Sequence, residues 1–182
     1  MAKNEITYAL EIPQGINVSV DHGIVKIKGK KGEVTRTMYH PGYAITLQGQ
    51  EIVLAAKRNT KRERRLLATC QAHIKNMFKG VTEGHVYKLK ICSGHFPMNV
   101  SISGKEFVIK NFLGEKVPRT LSLQDDVSVK INGQEVIVEG ISKEHTSHVA
   151  AEIEQLTRVT NKDLRVFQDG IYITHKDGRA IK

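Results

Sequence analysis

Two short segments near the start of the chain alternate between apolar and polar residues. In residues 17–20 and 25–28, valine or isoleucine occupies every second position. A period of two places the apolar side chains on one face of a β-strand and the polar ones on the other. Gly23 stands between the two segments, where the chain must turn. The pattern predicts two half-buried strands joined by a tight turn.

A second pair of apolar segments predicts a β-hairpin. Residues 45–47 alternate in the same way, and residues 52–54 are apolar throughout. Gly49-Gln50 lies between them, and glycine is common in short hairpin turns because it accepts backbone angles that other residues avoid.

A helical pattern follows this hairpin. Thr60-x-x-Glu63 is a capping-box sequence, in which a hydroxyl and a carboxylate accept hydrogen bonds from free backbone N–H groups. Gly80 is suited to the helix end. We expect Leu67 and Ile74 to be core residues. The apolar residues that share one face through spacings of three and four are Leu66, Leu67, Cys70, Ile74 and Met77.

The same series of patterns occurs twice. The sequence NVSV at residues 17–20 returns as NVSI at residues 99–102, and GQEIVL at 49–54 returns as GQEVIV at 133–138. The offset is 82 residues for the first pair and 84 for the second, as one short insertion in a turn would produce. Asn132-Gly133 is a strong hairpin signal in the second copy. Ordered matches of this kind indicate an internal duplication.

A helical pattern also ends the second copy. Val149, Ile153 and Leu156 share one face of a helix that we expect to begin near Thr146 or Ser147. Ile153 is a predicted core residue. The fold class that follows is α+β, with two tandem copies of a small antiparallel β-sheet, each covered by one helix.

We place the first repeat at residues 1–82, the second at 83–156, and a C-terminal basic extension, packed on the second repeat, at 157–182. The alternative for the extension is a frayed terminus. Asp169-Gly170 is interpreted as a turn between its apolar anchors. Those anchors, which favour an ordered segment, are Val166, Phe167, Ile171, Tyr172 and Ile173.

The chain is basic, and its charge is uneven. Its formal net charge is +9, which in a small protein suggests a polyanionic partner, most often nucleic acid. A solvated basic surface is the alternative. Residues 1–88 carry 15 basic and 7 acidic side chains, whereas residues 89–182 carry 13 and 12. Nucleic-acid contacts in the second half must therefore depend on local clusters.

We predict phosphate contacts at two basic regions. The densest cluster, residues 57–65, opposes the positive end of a helix dipole, which a bound phosphate would offset. The second region combines a loop between strands of the second copy with the extension. The ten aromatic residues include no Trp, which favours recognition of folded RNA by shape and phosphate contacts over a single-strand stacking platform. The candidate residues are Arg62, Arg64, Arg65, Lys110, Lys116, Arg158, Lys162, Arg165, Lys176 and Arg179.

Three stretches resemble ribosomal protein L-six of the large subunit, in its archaeal and eukaryotic branch. The third follows the C-terminal motif of that branch without a mismatch. The stretches are Ile12-Pro13-x-Gly15-x-x-Val18 with Val25-x-Ile27-x-Gly29-x-Lys31-Gly32; Tyr87-Lys88-Leu89-Lys90 with Ser93-Gly94-His95-Phe96-Pro97-Met98-Asn99-Val100; and Gln155-x-x-x-Val159-x-x-Lys162-x-x-Arg165-x-Phe167-x-Asp169-Gly170-Ile171-Tyr172-Ile173-x-x-Lys176.

The resemblance implies a structural protein that binds ribosomal RNA near the sarcin-ricin region, at the base of the acidic stalk, beside neighbouring ribosomal proteins. It also implies no catalytic role. The basic Lys/Gly-rich tail of the bacterial branch is absent, so bacterial contact residues do not transfer to this tail.

The residues themselves do not suggest an enzyme. The closest histidine pair, His145 and His148, lacks a third ligand at usable spacing, and Gly29-Lys30-Lys31-Gly32 lacks the spacing of a P-loop. We predict no catalytic residue, no metal, no cofactor and no small-molecule substrate. The isolated cysteines, and the lack of a signal-peptide core or membrane span, predict a protein of the cytoplasm. The alternatives are a free RNA-binding translation regulator and a nucleic-acid enzyme.

Overall fold

The computed structural model describes residues 5–181 and divides the chain into two compact units, with the boundary between Gly84 and His85. Within the described residues, each unit contains antiparallel strands and one α-helix of its own, which confirms the α+β fold class.

Unit one contains six strands and one helix within residues 5–84. Strand β6 pairs with β1 and β5 in one sheet, and β3 pairs with β2 and β4 in another, all antiparallel. The elements are β1 (Ile6–Glu11), β2 (Asn17–Asp21), β3 (Ile24–Gly29), β4 (Gly32–Thr37), β5 (Ala44–Gln48), β6 (Glu51–Ala56) and α1 (Lys61–Thr82).

The core of unit one lies where α1 packs against both sheets. The alternation seen in the sequence sends every second side chain of β3 and β6 to this core. A Cβ on Gly29 would lie 2.8 Å from Val81, so only glycine lets β3 approach the end of α1 this closely. The fully buried core residues include Val25, Ile27, Ile52, Leu54, Leu67 and Ile74, which confirms the predicted helix face.

Unit two repeats this arrangement. Strand β12 pairs with β7 and β11, and β9 pairs with β8 and β10, all antiparallel, and α2 packs on both sheets. The matching strand order supports the duplication, and it shows that the strands of each copy are divided between two sheets. The elements are β7 (His85–Cys92), β8 (Asn99–Ser103), β9 (Glu106–Lys110), β10 (Arg119–Ser122), β11 (Val127–Asn132), β12 (Glu135–Gly140) and α2 (Lys143–Leu156).

The chain after α2 adds two strands to the larger sheet of unit two. Strand β13 (Gly170–Lys176) pairs with β7, and the short β14 (Arg179–Ala180) pairs with β13. Two side chains near the end of α2 bind backbone N–H groups of β13. The Thr157 hydroxyl accepts from Ile171 at 2.9 Å, and the Glu154 carboxylate accepts from Ile173 at 3.0 Å. The strand is therefore tied to the sheet on one side and to the helix on the other.

The helix ends differ from the sequence predictions. Helix α1 continues through Gly80, which is buried, to Thr82, so the prediction that it stops at Gly80 is wrong. The buried Val81 keeps this last turn packed against β3, and the chain leaves the helix through Gly84, whose φ is +79°. The N-terminal end of α1 also differs, because the Thr60 hydroxyl donates to the Glu63 carboxylate and does not cap a backbone N–H group.

Helix α2 begins at Lys143, three or four residues before the predicted start at Thr146 or Ser147. Ser142 is the N-cap, and its hydroxyl accepts from the His145 backbone N–H at 3.5 Å. Thr146 is buried inside the first turn and donates to the Ser142 carbonyl at 2.7 Å.

Candidate nucleic-acid interface

The basic start of α1 is exposed. Arg62, Arg64 and Arg65 all lie at the surface of the first helical turn or just after it. The Arg64 Nε donates to the Asn59 side chain at 2.6 Å, which orients one guanidinium. Cations at this end of a helix oppose the helix dipole, so a bound anion would stabilise the arrangement.

Lys110 and Lys116 lie beside the smaller sheet of unit two. Lys110 is the last residue of β9, and Lys116 lies in the connection from β9 to β10. Both side chains are exposed.

Arg119, which follows this connection, has a structural role. Its guanidinium binds both carboxylate oxygens of Glu115, at 2.6 and 2.8 Å, and donates to the Leu156 carbonyl at the end of α2 at 2.6 Å. The guanidinium also lies 4.3 Å from the ring centroid of Phe112. The hydrogen bond from Arg119 is the main reason that the pKa of the Glu115 carboxyl lies below its usual value.

The segment between α2 and β13 carries Arg158, Lys162 and Arg165, which are exposed. The Arg165 guanidinium donates to Asp163 at 2.8 Å, and this hydrogen bond lowers the pKa of the Asp163 carboxyl and raises the pKa of Arg165. Because Asp163 neutralises part of the Arg165 charge, a phosphate would compete with this ion pair.

Lys176 and Arg179 are brought together by the β13–β14 hairpin, where they face each other as direct cross-strand partners. Both are exposed. Two like charges at directly opposite positions destabilise a strand pair, which a shared anion would relieve.

The buried carboxylate of Asp169 joins two distant stretches of the chain. It accepts hydrogen bonds from the backbone N–H groups of Gly94 and His95 and from the His95 ring Nδ1, the last at 2.6 Å. Desolvation raises the pKa of the Asp169 carboxyl, but these hydrogen bonds outweigh it, so the pKa lies below its usual value. The interpretation of Asp169-Gly170 as a turn is wrong, because Asp169 anchors the 93–95 loop and Gly170 begins β13.

We call the contact between Asp169 and the 93–95 loop the Asp169 junction. Two stacked aromatic rings connect it to a lysine. The His95 and Phe167 rings stack with their centroids 4.8 Å apart, and the Lys162 Nζ lies 4.7 Å from the Phe167 centroid. Lys162 is thus placed over the Phe167 ring, which stacks on the His95 ring that Asp169 binds.

His145 and His148, the two histidines closest to each other in the sequence, contact different carboxylates. The His145 Nδ1 contacts Asp126, and the His148 Nε2 lies 3.2 Å from Glu152. Among residues 5–181, no cluster of three or more His, Cys, Asp or Glu side chains could hold a metal ion. No helix in the same part of the chain is long and apolar enough to span a bilayer.

A family model described as Ribosomal protein L6 matches residues 12–84 and 96–170, with one range in each unit. The chain belongs to the ribosomal protein L6 family. This confirms the resemblance that the three sequence stretches indicated. Membership of a family of ribosomal proteins also confirms that the chain is not an enzyme.

Archaeal members of the L6 family match over nearly their full length. The large ribosomal subunit protein uL6 of Haloarcula marismortui is 43% identical over 171 residues, or 94% of this chain and 96% of the relative. The uL6 protein of Methanosarcina mazei is 43% identical over 172 residues, or 94% of this chain and 98% of the relative. The uL6 protein of Halobacterium salinarum is 41% identical over 180 residues, or 99% of each.

Sequence reasoning missed the roles of His95, Phe167 and Asp169. All three lie in the stretches that resemble the L6 family. The resemblance indicated that these residues matter, but it did not indicate what structural role they have. The structure brings the second and third stretches together at one buried carboxylate.

Proposed function

We propose that this chain is a structural constituent of the large ribosomal subunit, and that it binds large-subunit ribosomal RNA in the cytoplasm. The observation that carries the proposal is the family match in both units, together with relatives named as large-subunit proteins that align over almost the whole chain. Its partners would be that RNA and the neighbouring ribosomal proteins.

The exposed cations support RNA as the direct partner. Counterion release from phosphates supplies much of the affinity of proteins for RNA, and it requires Lys and Arg side chains at the surface. The start of α1 and the extension of unit two both provide such side chains. The proposed contact residues are Arg62, Arg64, Arg65, Lys110, Lys116, Arg158, Lys162, Arg165, Lys176 and Arg179.

We further propose that the bound RNA lies near the sarcin-ricin region, at the base of the acidic stalk. The support is the resemblance of the C-terminal stretch, residues 155–176, to the motif of the archaeal and eukaryotic branch. This stretch includes β13, and its cations Arg158, Lys162, Arg165 and Lys176 are exposed.

Sedimentation of cell extracts through a sucrose gradient tests the proposal. A tagged full-length chain, expressed in cells of its source organism, should co-sediment with large subunits and with whole ribosomes. Crosslinking in the isolated subunits, followed by sequencing of the attached RNA, should recover sequences around the sarcin-ricin region. A chain that stays at the top of the gradient would instead be a free RNA-binding regulator, and crosslinks confined to another RNA region would reject the proposed location.

A further inference from the structure

A surface pocket of about 640 Å³ lies beside the Asp169 junction. We call it the junction pocket. Its walls come from the end of β7, the loop that follows β7, and the segment that leads into β13. Its volume is within the usual range for small-ligand sites, and it opens to the surface of unit two. The residues that line it include His95, Val166, Gln168, Asp169 and Tyr172.

Tyr172 offers the junction pocket an exposed aromatic ring in a defined position. The residue is 42% exposed, and its hydroxyl donates to the Gln168 carbonyl at 3.2 Å. The ring lies so close to Gly170 that a Cβ there would be 3.1 Å from the Tyr172 Cζ. Contacts at both positions restrict the ring, so a planar ligand could stack on it with little loss of side-chain freedom.

The polar side of the junction pocket is also held in place. The His95 ring is fixed by its hydrogen bond to Asp169 and by stacking on Phe167. Because Nδ1 faces Asp169, the other ring nitrogen, Nε2, is left to face a ligand, and in the described part of the chain no other hydrogen bond of this ring is found. Val166, which is 58% exposed, adds an apolar edge.

Two cations lie near residues that line the junction pocket. Lys162 lies over Phe167, whose ring stacks on His95, and Lys90 is the direct cross-strand partner of Tyr172, so the two project from the same face of the sheet. Glu135 pairs with Lys90 from the opposite strand, which offsets part of that charge. The acid inside the pocket, Asp169, is buried and already accepts three hydrogen bonds.

We propose that the junction pocket receives one unstacked nucleobase of the bound ribosomal RNA. The base stacks on Tyr172, its edge faces His95, and the adjoining phosphates meet Lys162 and Lys90. A ring, a hydrogen-bonding edge and flanking cations together are how proteins bind bases that have left a helix. An apolar protein side chain could pack on the ring and on Val166, but it would offer no negative charge to Lys162 and Lys90. The inference rests on the proposed function.

Binding of the full chain to a ribosomal RNA fragment spanning the sarcin-ricin region, measured at several salt concentrations, tests the inference. Tyr172→Leu should weaken binding about 10-fold, because the base loses the aromatic ring on which it stacks. The slope of log affinity against log salt should not change, since the substitution removes no charge. Tyr172→Phe keeps the ring and should bind almost like the original chain. Tyr39→Leu removes a tyrosine that is 74% exposed in unit one and should have no effect.

A second variant covers the case in which Tyr172→Leu lowers the melting temperature. Val166→Asp places a negative charge at an exposed edge of the junction pocket and should also weaken binding at least 10-fold while the protein stays folded. Ultraviolet crosslinking in intact large subunits should attach a base to the peptide that contains residues 166–172.

The outcomes separate the two proposals. An original chain that binds no ribosomal RNA would reject the proposed function itself. An original chain that binds, with folded Tyr172→Leu and Val166→Asp variants that bind equally well, would overturn the nucleobase pocket and leave the ribosomal function intact. A crosslink from residues 166–172 to another protein, and not to RNA, would also overturn it.

Discussion

At Asp169, burial and hydrogen bonding act on one carboxylate in opposite directions. The pKa of this group lies below its usual value because three donors prefer the charged form. A depressed pKa means that the carboxylate contributes stability at pH values above the unfolded-state pKa, about 3.9. That contribution is lost as the pH falls through the lower folded-state pKa.

Asp169→Asn should therefore destabilise the protein by about 1–3 kcal/mol at pH 7, because a charged acceptor is lost from a buried site. The difference from the original chain should shrink as the pH falls from about 4, where the carboxyl of the unfolded chain takes up a proton, through the lower pKa of the folded state. Urea denaturation between pH 3 and pH 7 measures both effects. Asp125→Asn, at a side chain that is 76% exposed, is the matched control and should change stability by less than about 1 kcal/mol at pH 7. A pH-independent difference at Asp169 would contradict this account.

The helix faces chosen from the sequence can be tested by single truncations. Leu67, Ile74 and Ile153 are completely buried, so replacing any one with Ala should lower the free energy of unfolding by about 2–5 kcal/mol. Gln155→Ala changes an exposed position of α2 and should have an effect below about 0.5 kcal/mol. Chemical denaturation of each variant gives the comparison. A loss below about 0.5 kcal/mol at Ile153 would mean that its side chain does not fill the core.

The attachment of α2 to β10 depends on Arg119. Its guanidinium donates to the Leu156 carbonyl, binds Glu115 and covers Phe112, so it joins the C-terminal end of a helix to a strand of the smaller sheet. A cation at this end of a helix also interacts favourably with the helix dipole. We expect Arg119→Ala to lower the free energy of unfolding by about 1–3 kcal/mol, because a partly buried charged donor and its packing are both removed.

Arg119→Lys should recover only part of this loss, since an ammonium group cannot bind Glu115 through two parallel hydrogen bonds. Lys110→Ala, at an exposed end of β9, is the control and should change stability by less than about 0.5 kcal/mol. Thermal unfolding ranks the three variants. Equal melting temperatures for Arg119→Ala and Lys110→Ala would show that the contact between β10 and α2 contributes nothing.

For the molecule as a whole, salt dependence reports how many cations meet RNA phosphates. If about four residues of unit two do so, log affinity should fall against log salt with a slope near −3, at about −0.7 to −0.9 per contact. The double variant Arg165→Ala/Lys176→Ala should make the slope shallower by about 1.5 and should weaken binding to different RNAs alike. Titrations of one RNA fragment at four or more salt concentrations give the slope.

A control double variant, Lys75→Ala/Lys105→Ala, removes the same charge from exposed positions outside the proposed interface and should leave the slope close to that of the original chain. Equal slopes for the original chain and Arg165→Ala/Lys176→Ala would mean that the extension faces solvent or a protein. The basic start of α1, with Arg62, Arg64 and Arg65, would then be the better candidate interface.

Local patterns in the sequence predicted both helices, four of the six strands described in unit one, and the repetition of this series. Alternation at residues 17–20 and 25–28, and the hairpin signals at Gly49 and Asn132-Gly133, correspond to paired strands in the structure. Spacings of three and four residues identified the buried faces of both helices. These signals succeed because neighbouring residues in a strand or helix share a surface, so burial leaves a periodic trace. The predicted helix ends at Gly80 and Thr146 were wrong. Packing extends α1 beyond Gly80, and Ser142 caps α2 before Thr146.

The tertiary structure alone decided how the distant stretches meet. The sequence predicts a turn at Asp169 because Asp-Gly is common in turns. In the structure Asp169 is buried, and it accepts hydrogen bonds from His95, 74 residues earlier in the chain. The pairing of β13 with β7 and the placement of Lys162 over Phe167 are equally non-local. A contact between segments so far apart depends on the path of the whole chain and leaves no period in either segment. Local sequence patterns therefore predicted both helices, part of the strands, the duplication and the family, whereas the junction pocket forms only in the folded chain.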